Sequence, residues 1–203
     1  MVSAQAGTDE AGGEPLPATD HMALAPAPTP APTSAPTSAP PVPIPSPSVL
    51  VRDAAGDDLV AIHAIELEAF PNPFEQFHKR QLRRLIANPR ALVFVAQDGD
   101  GIAGWAVGLV RGGGAGGRTG RLYALAVRPD RGGRGVGRLL AQRVLGALAE
   151  AGAGAVTLEV RRDNAPAQKL YHALGFEPIG TLPGYYGPGT DGLRMRREPQ
   201  PAR

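Results

Sequence analysis

The chain has 203 residues, 22 prolines, 27 glycines and no cysteine, which excludes a disulfide framework, a thiolate zinc site and a cysteine nucleophile. Its formal charge of +2 is uneven: residues 1–48 hold four acids (Asp9, Glu10, Glu14, Asp20) and no lysine or arginine, while the remaining 155 residues carry 21 basic and 15 acidic side chains, or +6. Length and split together leave one ordinary domain behind a tail.

Residues 25–48 form a Pro/Ala/Thr/Ser tract without an aromatic residue. Proline fixes φ and removes backbone donors, and the tract lacks the apolar surface to offset ordering entropy. Residues 1–48 are therefore expected to be a disordered tail, serving as a linker, a terminal extension or a segment read by a proline-binding partner. The first residues show neither the basic start nor the apolar stretch of a signal peptide, and no run approaches the ~18 apolar residues of a membrane span. A soluble, cytoplasmic protein without membrane contact is the expectation.

In chain order, 49–54 reads as a strand ended by Gly56. Asp57-Asp58 opens a helix with Leu59, Ile62, Ile65 and Phe70 at helical spacing, and Pro71 and Pro73 stop it. A second helix is expected over about 75–87, with Leu82, Leu85 and Ile86 inside, ended by Asn88-Pro89. Two apolar runs, 91–97 and 102–110, flank Asp98-Gly99-Asp100-Gly101, a hairpin signal. Residues 111–120 contain six glycines and read as a hairpin loop.

The run 121–127 is almost continuously apolar, as in a strand buried on both faces. Val136, Leu140, Val144 and Leu148 then mark a helix to about Glu150, followed by a strand at 156–161. Asp163 or Asn164 caps a short helix with Pro166 in its first turn and Gly175 after its end. Strands near 176–182 and 193–196 close the chain. The order βααβββαβαββ is that of one α/β domain on a mixed sheet, over 49–198, with 199–203 a C-terminal tail.

The most informative segment is 125–142, LAVRPDRGGRGVGRLLAQ. A buried strand, a glycine-rich turn and a helix N-terminus aim several backbone N–H groups and a positive dipole end at one point, a geometry that binds phosphate. A Walker loop is excluded because no Gly-Lys-Ser/Thr occurs, and a dinucleotide fingerprint fails on spacing. Arg118, Arg121, Arg128, Arg131, Arg134 and Arg138 crowd this stretch; they suit a phosphate-bearing small ligand or nucleic acid, although aromatic stacking strands for the latter are missing.

AVRPDRGGRGVGRLL resembles the coenzyme A-binding motif of the GNAT superfamily of N-acetyltransferases, whose mixed sheet flanked by helices has the same element order. The resemblance implies acetyl-CoA as cosubstrate, with Leu125, Ala126 and Val127 along the pantetheine arm and Gly133, Arg134, Gly135, Val136 and Gly137 at the pyrophosphate. Gly132 occupies the position where the family usually has Gln or Arg, and Arg131, one residue earlier, is the expected substitute.

Residues 158–180 (LEVRRDNAPAQKLYHALGFEPIG) and 182–195 (LPGYYGPGTDGLRM) are similar to the ribosomal-protein alanine N-acetyltransferase branch, the RimI type. That likeness implies Glu159 as general base, Asn164 as a coenzyme contact, Tyr171 as general acid, and Tyr185 and Tyr186 in the loop that meets the acceptor. Phe70, with Pro71 and Phe74, would form the opposite wall.

Strand alternation puts Thr157, Glu159 and Arg161 on one face and Val156, Leu158 and Val160 on the other, so Glu159 is either a partnered mid-strand carboxylate or one of a Glu159–Arg161 surface pair. Tyr171 is alternatively packing at the edge of its helix stripe, and Asn164 a helix cap. The four histidines have no metal spacing, and no metal is expected. The reading that follows is direct acetyl transfer to a protein or peptide N-terminal α-amine, with a ribosomal protein as partner implied by resemblance alone. A lysine or small-amine acetyltransferase and a catalytically silent coenzyme A-sensing domain are the alternatives.

Overall fold

The computed structural model describes residues 49–112 and 117–199. The 1–48 tail, the centre of the glycine-rich loop and residues 200–203 lie outside the described residues, as does the side chain of Phe74. The elements follow the order read from the sequence: β1 (Leu50–Asp53), α1 (Leu59–Ala69), α2 (Lys79–Ala87), β2 (Ala91–Asp98), β3 (Gly101–Gly112), β4 (Arg118–Val127), α3 (Val136–Glu150), β5 (Ala153–Arg161), α4 (Ala165–Ala173), β6 (Glu177–Leu182) and β7 (Gly192–Arg197).

The strands form one sheet in the order β1-β2-β3-β4-β5-β7-β6. Every neighbouring pair is antiparallel except β4 and β5. A parallel pair needs a crossover, and α3 supplies it. One face of the sheet packs Leu122, Leu125, Leu158 and Val160 against Leu140, Val144 and Leu148 of α3 and Tyr171 of α4. The other packs Val95, Trp105, Val107 and Tyr123 against Ile62, Ile65 and Phe70 of α1 and Leu82 and Leu85 of α2. The α3 helix lies directly on the backbone of β3: a Cβ added at Gly108 would stand 2.7 Å from Val144 Cγ1.

Element edges differ from expectation for local reasons. Pro73–Glu75 forms a 3-10 turn, so α2 starts at Lys79, where the His78 N–H donates to Gln81 Oε1 at 2.7 Å. The glycine-rich segment prolongs the β3–β4 hairpin, pairing Gly112 with Arg118 and Arg111 with Thr119. Before α1, Asp58 accepts two hydrogen bonds from the Arg52 guanidinium, at 2.7 and 2.8 Å.

One irregularity positions the site. Val107 lies opposite Ala124 and Gly108 opposite Leu122, so Tyr123 is an extra residue in β4. This bulge puts Tyr123 and Ala124 on the same face, and the run is apolar throughout because both faces of the sheet are covered by helices. It also bends the strand. Pairing with β5 ends at Arg121–Thr157, immediately before the bulge, and the two strands part from there onward.

Candidate active site

Beyond the Arg121–Thr157 pair β4 and β5 are no longer paired, so the β5-side edge of β4 along Leu122–Val127 runs without a strand partner to the segment 128–137. Here Gly133 and Gly135 have φ of 71° and 82°, a left-handed backbone that only glycine adopts without strain, and no atom stands within 4 Å of where a Cβ would project. Gly135 is the N-cap of α3, and the first-turn N–H groups of that helix have no acceptor within it. Arg134 and Arg138 are exposed beside this turn.

The other arginines of the cluster are committed elsewhere. Arg131 reaches away from the turn to the β2–β3 hairpin, donating to Asp98 at 2.9 Å and also to Asp100 and Asp130. Arg128 pairs with Asp130, and Arg118 donates to the Ala151 carbonyl. The anion-binding potential read from the sequence therefore rests, at this turn, on backbone amides, the dipole of α3 and the exposed Arg134 and Arg138.

On β5, two residues beyond the last β4–β5 pair and on the α1/α2 side, Glu159 is 2% exposed. Both its oxygens accept: Oε2 from Arg121 Nη2, and Oε1 from Arg194 Nε at 2.9 Å. The register explains the convergence, since Glu159 lies opposite Arg194 on β7 and Arg121 lies beside Thr157 at the last β4–β5 pair. A carboxylate has about four acceptor sites, so the two guanidiniums leave part of its capacity open. Arg161 does not pair with Glu159; it bridges Glu75, before α2, and Asp163.

Tyr185 is half-buried, and its hydroxyl lies 3.2 Å from Arg121 Nη2. Tyr186 is buried and packs edge-on against Tyr185 with ring centroids 5.0 Å apart. Gly192 gives Tyr185 its seat, because a Cβ there would come within 3.1–3.3 Å of that side chain. Phe70, by contrast, is 6% exposed and sits in the core between the sheet and α1.

Tyr171 lies on the α3/α4 side of β5, fully buried against Phe176, and its hydroxyl has no hydrogen-bond partner among the described residues. Burial pushes that hydroxyl above the usual tyrosine range. Glu159 and Tyr171 thus lie on opposite faces of the sheet. Asn164 caps α4, its Oδ1 accepting the Ala167 N–H at 3.1 Å.

Arg194, Arg121 and Glu66 escape sequence reasoning, and Arg194 lies 35 positions from the carboxylate it meets. Arg121 was grouped with the phosphate-facing arginines, and nothing local reveals a partner 38 positions away. Glu66 is 0% exposed and pushed up to about 8 by burial; Trp105 Nε1 and the Phe77 N–H donate to it at 3.3 and 3.4 Å. The available signal was its position four residues after the core residue Ile62, on the buried stripe of α1. Among the described residues, no group of three or more His, Asp or Glu side chains is arranged to hold a metal ion, and no helix is long and apolar enough to cross a membrane.

Comparison with known proteins assigns the class. Residues 59–176 match the acetyltransferase (GNAT) family. The crystal structure of the ribosomal-protein-S18-alanine N-acetyltransferase from Escherichia coli superposes with a TM-score of 0.64 at 25% identity, covering 77% of this chain and 97% of that one. The N-alpha-acetyltransferase RimI of Mycobacterium tuberculosis is 35% identical over 116 residues, 57% of this chain and 71% of that protein. A mycothiol acetyltransferase from Corynebacterium jeikeium is 42% identical over 73 residues, 36% of this chain, and the match spans only 21% of that longer relative. The chain belongs to the acetyltransferase (GNAT) family; it is similar to the RimI-type N-acetyltransferases, and it spans only 21–39% of the length of the first curated relatives it matches.

The residues present fit acetyl-CoA, the cosubstrate that the family implies. The β4 edge between the bulge and Val127 has no strand partner on the β5 side and suits an amide-bearing arm. The turn at Gly133–Gly135, open where its two glycines lack side chains and with Arg134 exposed between them, leaves room for a pyrophosphate against the start of α3.

Proposed function

We propose that the chain acetylates the N-terminal α-amine of a protein or peptide by direct transfer, in the manner of the ribosomal-protein alanine enzymes. The observation that carries this reading is Glu159: a buried carboxylate just beyond the last β4–β5 pair, held by two guanidiniums, with Arg121 also touching Tyr185. When bound, acetyl-CoA supplies an acetyl thioester. Glu159 accepts an N–H of the incoming amine, directly or through water, while Arg121 and Arg194 fix its orientation. Tyr171 keeps its proton on the hydroxyl oxygen and offers it to sulfur from the opposite face of the sheet. Leu125, Ala126, Val127, Gly133, Arg134, Gly135, Val136 and Gly137 bind and orient the cosubstrate, with Asn164 shaping the α4 side; the Arg131 guanidinium acts through the hairpin it pins.

The substrate's acidity favours an α-amine. A chain terminus titrates near ~8, so about a tenth is neutral at pH 7, whereas a lysine near ~10.4 is neutral in roughly one part in 2,500. An acceptor that is already partly neutral needs less help from the site, which favours the α-amine. A second reading, a small-molecule amine, is favoured by the likeness to mycothiol acetyltransferase within about a third of this chain.

Acetyl-CoA consumption with N-terminal peptides, lysine peptides and small amines separates these readings. Turnover is expected on α-amine peptides, and a preference for lysine or for the small amines overturns the assignment. Glu159→Gln is expected to lower kcat by about 10²-fold while leaving the KM for acetyl-CoA near its original value. An unchanged kcat removes Glu159 from the proton path.

A further inference from the structure

The solvent side of the α1/α2 layer carries two features that a helix surface normally avoids. Both helices turn their buried residues to the sheet, Ile62, Ile65 and Ala69 from α1 and Leu82 and Leu85 from α2. A surface helix keeps its opposite side polar, yet α1 exposes Val60 (66%), Ala64 and Leu67 (49%), an apolar stripe at i, i+4 and i+7. Beside it α2 exposes Lys79, Arg80, Arg83 and Arg84. None of these four has an ion pair or side-chain hydrogen bond among the described residues, and α2 contains no acid. Lys79 and Arg80 sit in the first turn, where the helix dipole disfavours cations. Lys79–Arg83 and Arg80–Arg84 are like charges at i, i+4, which repel. The exposed acids of this side of the layer, Asp57 and Glu68, pair with none of them. An apolar stripe next to a self-repelling basic row fits a segment that is both acidic and apolar.

The chain itself holds such a segment. Residues 9–24 contain Asp9, Glu10, Glu14 and Asp20, no lysine or arginine, and the side chains of Leu16, Met22 and Leu24. The 24 residues from Ala25 to Ser48 that join it to the domain reach at most about 80 Å, against a domain about 40 Å across. A tethered segment meets its surface at an effective concentration in the millimolar range, so individually weak contacts suffice. We propose that residues 9–24 dock across the outer face of α1 and α2, their acids meeting the basic row of α2 and their apolar side chains covering the stripe of α1. The basic row then opens to other polyanions only when the segment leaves.

The test uses the full chain. The sequence has no cysteine, so Ala18→Cys provides a single nitroxide site inside the segment, and the amide signals of the domain report its approach. The amides of Val60, Leu67, Arg83 and Arg84 are expected to lose at least about half their intensity relative to the reduced label. Leu145 and Ala149, on α3 across the sheet, are expected to keep theirs. Arg83→Glu with Arg84→Glu is expected to abolish the loss, and adding Glu14→Lys with Asp20→Lys to restore it. Both arginines are exposed, and thermal unfolding checks that the variants keep the fold. Even broadening over the whole domain, or a pattern unchanged by the charge swap, overturns the proposal. Broadening that appears only between a labelled copy and a separate isotope-labelled copy assigns the face to a second copy and overturns docking within one chain. A short single-stranded RNA tests the remaining occupant. Neutralising the four acids (Asp9→Asn, Glu10→Gln, Glu14→Gln, Asp20→Asn) is expected to tighten its Kd for α2 by about tenfold, and an unchanged Kd overturns the proposal.

Discussion

Glu159 and Glu66 are both buried carboxylates on the α1/α2 side of the sheet, and their surroundings treat them in opposite ways. Glu159 meets two guanidiniums, whereas Glu66 meets only an indole N–H and a backbone N–H, both at long range. Burial outweighs those two donors and lifts Glu66 from 4.5 to about 8. Below about pH 4.5 the folded and unfolded chains both hold this proton, and it has no effect on stability. Between there and about pH 8 the unfolded chain releases it first, so stability falls as pH rises, by on the order of 4 kcal/mol across the window. Urea unfolding at pH 5 and pH 8 is expected to show this decline in the wild type and a much flatter dependence in Glu66→Gln. An identical slope in the two proteins would remove Glu66 as its source.

At the scale of elements, the strands and helices were legible because hydrophobic period and turn residues agree along most of the domain. Val136, Leu140, Val144 and Leu148 predict α3 to its observed ends, and Asp98-Gly99-Asp100-Gly101 predicts the β2–β3 hairpin. The bulge at Tyr123 was not legible, since a run apolar on both faces hides a change of phase. The partners of Glu159 and Arg131 were hidden for another reason: each is set by sheet register between segments more than 30 residues apart. The glycines of β3 carry meaning that composition also conceals. At Gly108 even one methyl group meets Val144 and Leu148 of α3. Gly108→Val is expected to destabilise the domain by about 1–3 kcal/mol through overpacking. Equilibrium unfolding checks this, and a wild-type midpoint would mean that α3 can lift from the sheet freely.

At the scale of the whole molecule, the sheet is two unequal plates, β1–β4 and β5-β7-β6, joined by a parallel seam of three registered pairs between 118 and 121 on one side and 153 and 157 on the other. The glycine-rich turn belongs to the first plate, Glu159 and Arg194 belong to the second, and Arg121 lies at the seam itself. The domain 49–198 therefore builds its site from both plates, and the order of elements alone could announce the fold without revealing how they meet. The Glu75–Arg161 ion pair ties the segment between α1 and α2 to the end of β5, far from the seam.

On the proposed placement, the parted strands would make acetyl-CoA a mechanical component as well as a reactant. A ligand lying in the gap against the β4 edge and touching α4 completes the sheet where the chain leaves it open, like a rivet through two leaves. Ligation at 100 times Kd should add about 2.7 kcal/mol to the unfolding free energy. The amides of Leu125–Val127 should gain the largest hydrogen-exchange protection, and that protection should extend across β5. Slowed exchange confined to the glycine-rich turn would show instead that the ligand holds only one leaf.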